Sequence, residues 1–137
     1  MPYQTFDHTA DLGVLGQADS LTALFEETAR ALSEQICGPR SFKATGQTRV
    51  DVTGRDWPDL MINWLRELLY LVNGKNLVFG PVGIGMLKEY ALKAVVPVDK
   101  AGCAPHEMFN EIKAVTYHQL QVEPMAGGWQ ACIIFDV

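Results

Sequence analysis

The chain has 137 residues, 48% of them apolar and 20% charged, with a formal net charge of −5. That length predicts a single domain, 1–137, with a hydrophobic core of its own, and the composition is that of an ordinary soluble globular protein. The acidic balance and the scattered Lys and Arg argue against tight direct binding of nucleic acid, although net charge does not exclude a local basic patch, and no apolar run approaches the ~20 residues that span a bilayer.

In chain order, Tyr3–Phe6 and Leu12–Gly16 read as short strands. MPYQTFDH at the start lacks the basic and apolar regions of a signal peptide, so a cytoplasmic protein is expected. Asp19 or Ser20 then caps a helix by accepting from free backbone N–H groups. Leu21, Leu24, Phe25, Thr28, Leu32 and Ile36 form its apolar stripe, opposed by Glu26, Glu27, Arg30 and Glu34. Gly38-Pro39 ends it. Gln47–Thr53 alternates as a strand does. Asp56-Trp57-Pro58-Asp59 opens a second helix, with proline tolerated in the first turn and acids at the positive end of the dipole. Leu60, Met61, Trp64, Leu65, Leu68, Leu69 and Val72 give it a wide apolar face, and Asn73-Gly74 closes it.

The remainder is rich in strand signals: Leu77–Ile84, Met86–Val98, Ile112–Glu123 and Trp129–Phe135. Met125-Ala126-Gly127-Gly128 is the hairpin turn between the last two. A polar loop fills the space from Val98 to Ile112. The expected fold is α+β, a two-layer domain in which two helices pack on one side of a mostly antiparallel sheet.

Motifs for catalysis are sparse. The three cysteines are odd in number and widely spaced, which argues against a disulfide framework, and no Cys-x-x-Cys pair is present. His8, His106 and His118 form no His-x-x-x-His pair. Cys103 and His106 have the spacing of half a zinc site, but no other half is visible, and a solvated loop accounts for them. GPVGIG at 80–85 lacks the Lys-Ser/Thr ending of a phosphate loop and reads as strand-edge turns. Two acid-bearing stretches remain. Asp11, in DHTADLG, stands where the chain enters a strand, and a turn acid bonding local N–H groups accounts for it. Asp136 follows Ile133-Ile134-Phe135, which should be buried. An acid there is costly unless it reaches solvent, a donor or a metal. If Asp11 approaches Asp136 and the oxygens of Val137, the set is all hard oxygen and suits Ca²⁺, Mg²⁺ or Mn²⁺. A frayed terminus with a solvated acid is the other reading. Glu67 reads as an exposed helix acid and Lys113 as a lysine on a strand's solvent face.

Five blocks in order resemble the archease family over nearly the whole chain. They are Phe6-Asp7-His8-Thr9-Ala10-Asp11-Leu12-Gly13, Ser20-Leu21 through Leu24-Phe25-Glu26, Asn63 through Tyr70, Glu111 through His118, and the closing Phe135-Asp136-Val137. The resemblance implies an accessory protein, not itself an enzyme. Its partner would be the GTP-dependent RNA ligase that joins 2′,3′-cyclic phosphate or 3′-phosphate ends to 5′-hydroxyl ends in tRNA splicing or RNA repair. The accessory protein promotes ligase guanylylation and further turnover, and it meets RNA only through the ligase. The resemblance further implies a metal site at Asp11, Asp136 and Val137, with calcium the associated ion and magnesium or manganese as alternatives. Glu67 and Lys113 match other functional-looking family positions, and His8 lies near the site. The rival expectations are an independent divalent-metal phosphoester hydrolase using Asp11, Asp136 and His8, or a chaperone-like module.

Overall fold

The computed structural model describes residues 3–8, 11–38, 42–100 and 108–137. Its elements run β1 (Tyr3–His8), β2 (Asp11–Ala18), α1 (Leu21–Cys37), β3 (Gly46–Thr53), α2 (Trp57–Asn73), β4 (Val78–Phe79), β5 (Gly83–Lys88), β6 (Ala91–Asp99), β7 (Ala114–Met125) and β8 (Gly128–Asp136). This is an α+β fold.

Both helices start where a side chain captures a free backbone N–H. Ser20 Oγ accepts from the Ala23 amide at 3.1 Å, and Asp56 Oδ1 accepts from the Asp59 amide at 2.8 Å. Gly38 ends α1 at φ 74°, a conformation that costs glycine nothing, and its N–H bonds Glu34 O at 2.7 Å. Gly74 ends α2 differently. It stays right-handed and donates to Tyr70 O, while Asn76 takes the left-handed step at φ 54°.

Two sheets stand where one was expected. One has the order β1-β2-β8-β7; the other has β6 at its centre, with β3 along one edge and β4 and β5 along the other. Every described strand pair is antiparallel. Helix α1 meets β2, β8 and β5, and α2 meets β7, β3 and β4, so the helix pair packs on a face of each sheet. This explains the breadth of burial on α2, where Leu60, Met61, Ile62, Trp64, Leu65 and Leu68 are all fully enclosed. A stripe on one flank would serve a single sheet; two sheets demand more of the circumference. The two helices are joined by Trp64, whose Nε1–H donates to Phe25 O at 3.0 Å.

The expected strand Met86–Val98 is broken in two. Chain reversal at Glu89-Tyr90 separates β5 from β6, and Tyr90 has φ 23°. No Gly, Pro, Asn or Asp marks this turn in the sequence. Tertiary contacts hold it instead: the Gly54 amide donates to Tyr90 O at 3.0 Å, and the Tyr90 ring meets Trp57 edge-on at 4.9 Å. Of the expected strand Leu77–Ile84, only Val78–Phe79 and the start of β5 are extended in a ladder. A second irregularity lies in β7. Its pairing with β8 jumps from Thr116 to Gln121, and Gln119 has φ 53°, so residues 117–120 bulge from the ladder.

Cys37 is disulfide-bonded, whereas Cys132 is a free thiol. The cysteine count thus argued correctly against a framework but not against one isolated bond. Cys103 and His106 lie outside the described residues. No described helix is long and apolar enough to cross a membrane.

Candidate functional site

Strand register brings the two ends of the sequence together. Strand β8 runs between β2 and β7, with Leu12 opposite Phe135 in one ladder and Ala114 opposite Asp136 in the other. One step beyond Leu12 and Phe135, Asp11 and Asp136 come level across the same ladder. Residues level on antiparallel strands project from the same face, with Cβ atoms about 5 Å apart. The opposite face carries Ala131, Ile133 and Phe135 into the core, so by alternation the two acids belong to the face turned away from the helices. Asp136 is exposed and Asp11 half-buried. The row extends to β1, where His8 is the register partner of Asp11. The His8 side chain lies outside what is described.

The row beside it is apolar. Phe6, Gly13, Ile134 and Thr116 lie level across β1, β2, β8 and β7. The Phe6 ring covers Gly13 so closely that a Cβ there would overlap it. Glycine is therefore needed at position 13 for close approach. Ile134 is fully buried on this row, which gives the two acids an apolar flank.

The C-terminal residues are anchored up to Asp136. The Lys113 amide donates to Asp136 O at 2.7 Å, beyond the last paired position of β7. The frayed-terminus reading therefore does not describe Asp136. Val137 follows with 37% of its surface exposed. Among the described residues, no group of three or more His, Cys, Asp or Glu gathers as a metal cage. Two carboxylates with the oxygens of Val137 make a partial, all-oxygen donor set. That set fits a hard cation chemically, with its remaining positions left to water or to a partner's oxygens.

Lys113 and Glu67 lie elsewhere. Lys113 is exposed and lines a groove of 310 Å³ between β7 and α2, with Arg66, Leu69, Tyr70, Asn73, Ala114 and Val115. Glu67 is exposed on the outer stripe of α2, between Arg66 and the turn that carries Tyr70. Among the described residues, no ion pair joins Glu67 to Lys113. The acids and the groove therefore sit on opposite faces of one sheet end, linked by the Lys113–Asp136 backbone bond. The sequence named none of the groove's other residues as site candidates; Asn73 reads there as a helix stop, and Arg66 and Tyr70 only as part of the Asn63–Tyr70 block. A separate cavity of 280 Å³, lined by Arg30, Ser33, Glu34, Phe42 and Phe79 among others, holds none of the expected site residues.

Comparison with known proteins identifies the family and the fold. The family model described as the archease protein family (MTH1598/TM1083) matches residues 3–137. The chain is 33% identical to the protein archease of Methanosarcina mazei, covering 98% of this chain and 95% of that one. It is 32% identical to the protein archease of Pyrococcus furiosus, covering 98% of both. The solution structure of Methanobacterium thermoautotrophicum protein 1598 superposes with a TM-score of 0.75 at 29% identity, covering 98% of both chains. A crystal structure from Thermotoga maritima, described as an archease and possible chaperone, shares the fold at a TM-score of 0.61 and 18% identity. With its family pattern matched from the first strand to the last residue, the chain belongs to the archease family.

Proposed function

We propose that this protein activates a GTP-dependent RNA ligase, promoting its guanylylation and repeated turnover in tRNA splicing or RNA repair. The observation that supports this best is the register that sets Asp11 level with Asp136 at an exposed sheet end. An acid pair at that place contributes nothing to a hydrophobic core, and its hard oxygens suit a divalent cation. Asp11, Asp136 and Val137 would hold it, with calcium the family's ion and magnesium or manganese as alternatives. When bound, such an ion supplies positive charge and open coordination positions for phosphate oxygens or water.

This chain's own residues then do three things. The carboxylates of Asp11 and Asp136 would hold the ion at the exposed end of the sheet. The Lys113–Asp136 backbone bond fixes the direction of the last residues. Glu67 and Lys113 lie on the helix side of the same end, with Glu67 placed to orient the partner. The net charge of −5 suits a partner that is basic because it handles RNA, since complementary charge speeds encounter and guides docking.

The test is ligase guanylylation with and without this protein under a calcium titration. Substoichiometric protein is expected to raise guanylylation and multiple-turnover sealing. Asp11→Ala and Asp136→Ala are expected to abolish the effect with unchanged circular dichroism. Full stimulation by both variants would remove the metal-centred mechanism. Phosphoester turnover with no ligase present would favour the hydrolase reading instead. General suppression of aggregation, without preference for a ligase, would favour a chaperone.

A further inference from the structure

The groove between α2 and β7 has a chemistry that the acid pair does not use. Its lining includes two cations, Arg66 and Lys113, and one amide, Asn73, and no carboxylate. The Asn73 amide is directed at Ile112 O, 2.9 Å away. Arg66 places its guanidinium 5.0 Å from the Tyr117 ring centroid and makes one long bond, 3.5 Å, to Val115 O. A guanidinium has five donors, so it keeps several for another acceptor. Lys75 lies 5.7 Å from the ring centre of Tyr70. Both rings are open: Tyr70 is 54% exposed and Tyr117 is 50% exposed.

Tyr117 stands on the β7 bulge, and its hydroxyl donates to Asp59 at 3.1 Å, which fixes the ring over the outer side of α2. The bulge thus has a physical consequence: it sets one aromatic, outside the lining itself, against the guanidinium of the groove residue Arg66. Exposed aromatics and cations at a cleft whose lining holds no carboxylate, the nearby Asp59 being engaged by the Tyr117 hydroxyl, make the combination that holds single-stranded nucleic acid. Cations take the phosphates, and rings or guanidinium planes stack on unpaired bases. Glu67, the neighbouring acid on α2, stays outside the lining and sets an edge to the positive zone. The volume of 310 Å³ is at the low end of small-ligand sites, about 300–1,000 Å³, and suits one nucleotide unit.

We infer that this groove binds single-stranded RNA directly, with a phosphate on Arg66 and Lys113 and a base against Tyr70 or Tyr117. The choice of RNA over other polyanions rests on the ligase reading; the chemistry of the groove does not. An acidic protein achieves this through a local patch that its net charge conceals.

The experiment is fluorescence anisotropy of a short labelled oligouridylate titrated with the full chain at several salt concentrations, with inorganic polyphosphate as competitor. Saturable binding is expected, its logarithm falling with log salt at about −0.7 per phosphate contact. Arg66→Gln is expected to weaken binding and flatten that slope by about one contact. Tyr117→Ala is expected to weaken binding roughly tenfold, as loss of a stacked base does, with the slope unchanged. Absence of saturable binding overturns the inference. So does equal binding by both variants, or competition by polyphosphate as strong as by unlabelled RNA. A parallel arm measures ligase guanylylation with no RNA present, where Arg66→Gln and Tyr117→Ala should stimulate as wild type does. If they fail there, the groove docks the ligase protein and the RNA assignment falls. If the wild-type chain itself gives no stimulation, the ligase reading falls, and the anisotropy result decides RNA binding alone.

Discussion

Helices α1 and α2 are the same length, 17 residues, and begin with the same capping device, but their outer faces are put to opposite use. On α1 the charges are consumed within the protein. Arg30 donates to Glu27 at 2.6 and 3.0 Å and to Glu34 at 2.9 Å. The Tyr3 hydroxyl closes on Glu34 at 2.6 Å, and Glu26 accepts from the Ile84 amide at 3.0 Å. Those bonds to Glu27 are the main reason the Arg30 guanidinium is held even more firmly in its charged form than usual. On α2, Arg66, Glu67 and Tyr70 face outward, and Arg66 leans on a ring instead of a carboxylate. One helix face locks strands to the helix layer; the other is left available. A binding surface is recognised here less by its residue types than by whether its charges are already spent.

The contrast can be broken most forcefully at the joint between the helices. Trp64→Ala removes a fully enclosed ring and its bond to Phe25 O, and is expected to cost about 3–5 kcal/mol in urea unfolding. The shared capping device predicts near-equal, smaller losses. Ser20→Ala and Asp56→Ala should each cost about 1 kcal/mol by the same measurement. Glu27→Ala should cost about 1 kcal/mol or less, because Arg30, with 46% of its side chain exposed, regains water when its partner is removed. Glu67→Ala should change stability by less than about 0.5 kcal/mol while lowering ligase stimulation, which separates the two faces directly.

A titration sharpens the comparison further. The Asp59 carboxyl at the start of α2 is held below its ordinary range, chiefly by the Arg55 amide and then by the Tyr117 hydroxyl. A lowered folded-state value means that its stabilising contribution is complete above the ordinary carboxylate range and is lost as pH falls through the lowered value. The difference in urea midpoint between wild type and Asp59→Asn should therefore be full at neutral pH and shrink in acid.

Both helices were legible in the sequence because their signals are local: a cap, a stripe with helical spacing and a glycine stop. The β5–β6 reversal was not, since Lys88-Glu89-Tyr90 contains no turn residue and is held by Gly54 and Trp57 from other elements. Division into two sheets was hidden for a related reason. An alternating strand shows which of its faces is buried but not which neighbour it pairs with. Asp11 and Asp136 were legible as candidates through family resemblance, yet their nearness depends on a ladder between residues more than a hundred positions apart. The aromatic groove was invisible because it needs the β7 bulge to carry Tyr117 across to α2.

The central position of β8 has a consequence for synthesis. This last strand of the sequence is inserted between two that were made earlier, β2 and β7. A nascent chain arrested before Gly128 owns both helices and most of their core partners, but sheet β1-β2-β8-β7 has a missing middle. Its apolar residues Val14 and Val115 then lack the strand that lies beside them. Such non-local closure comes late and slowly, after local structure has formed. The acid pair therefore comes into being only once β8 has been made and has slotted between β2 and β7. Any property that depends on Asp11 beside Asp136 is withheld from copies in which that strand has not yet closed the sheet.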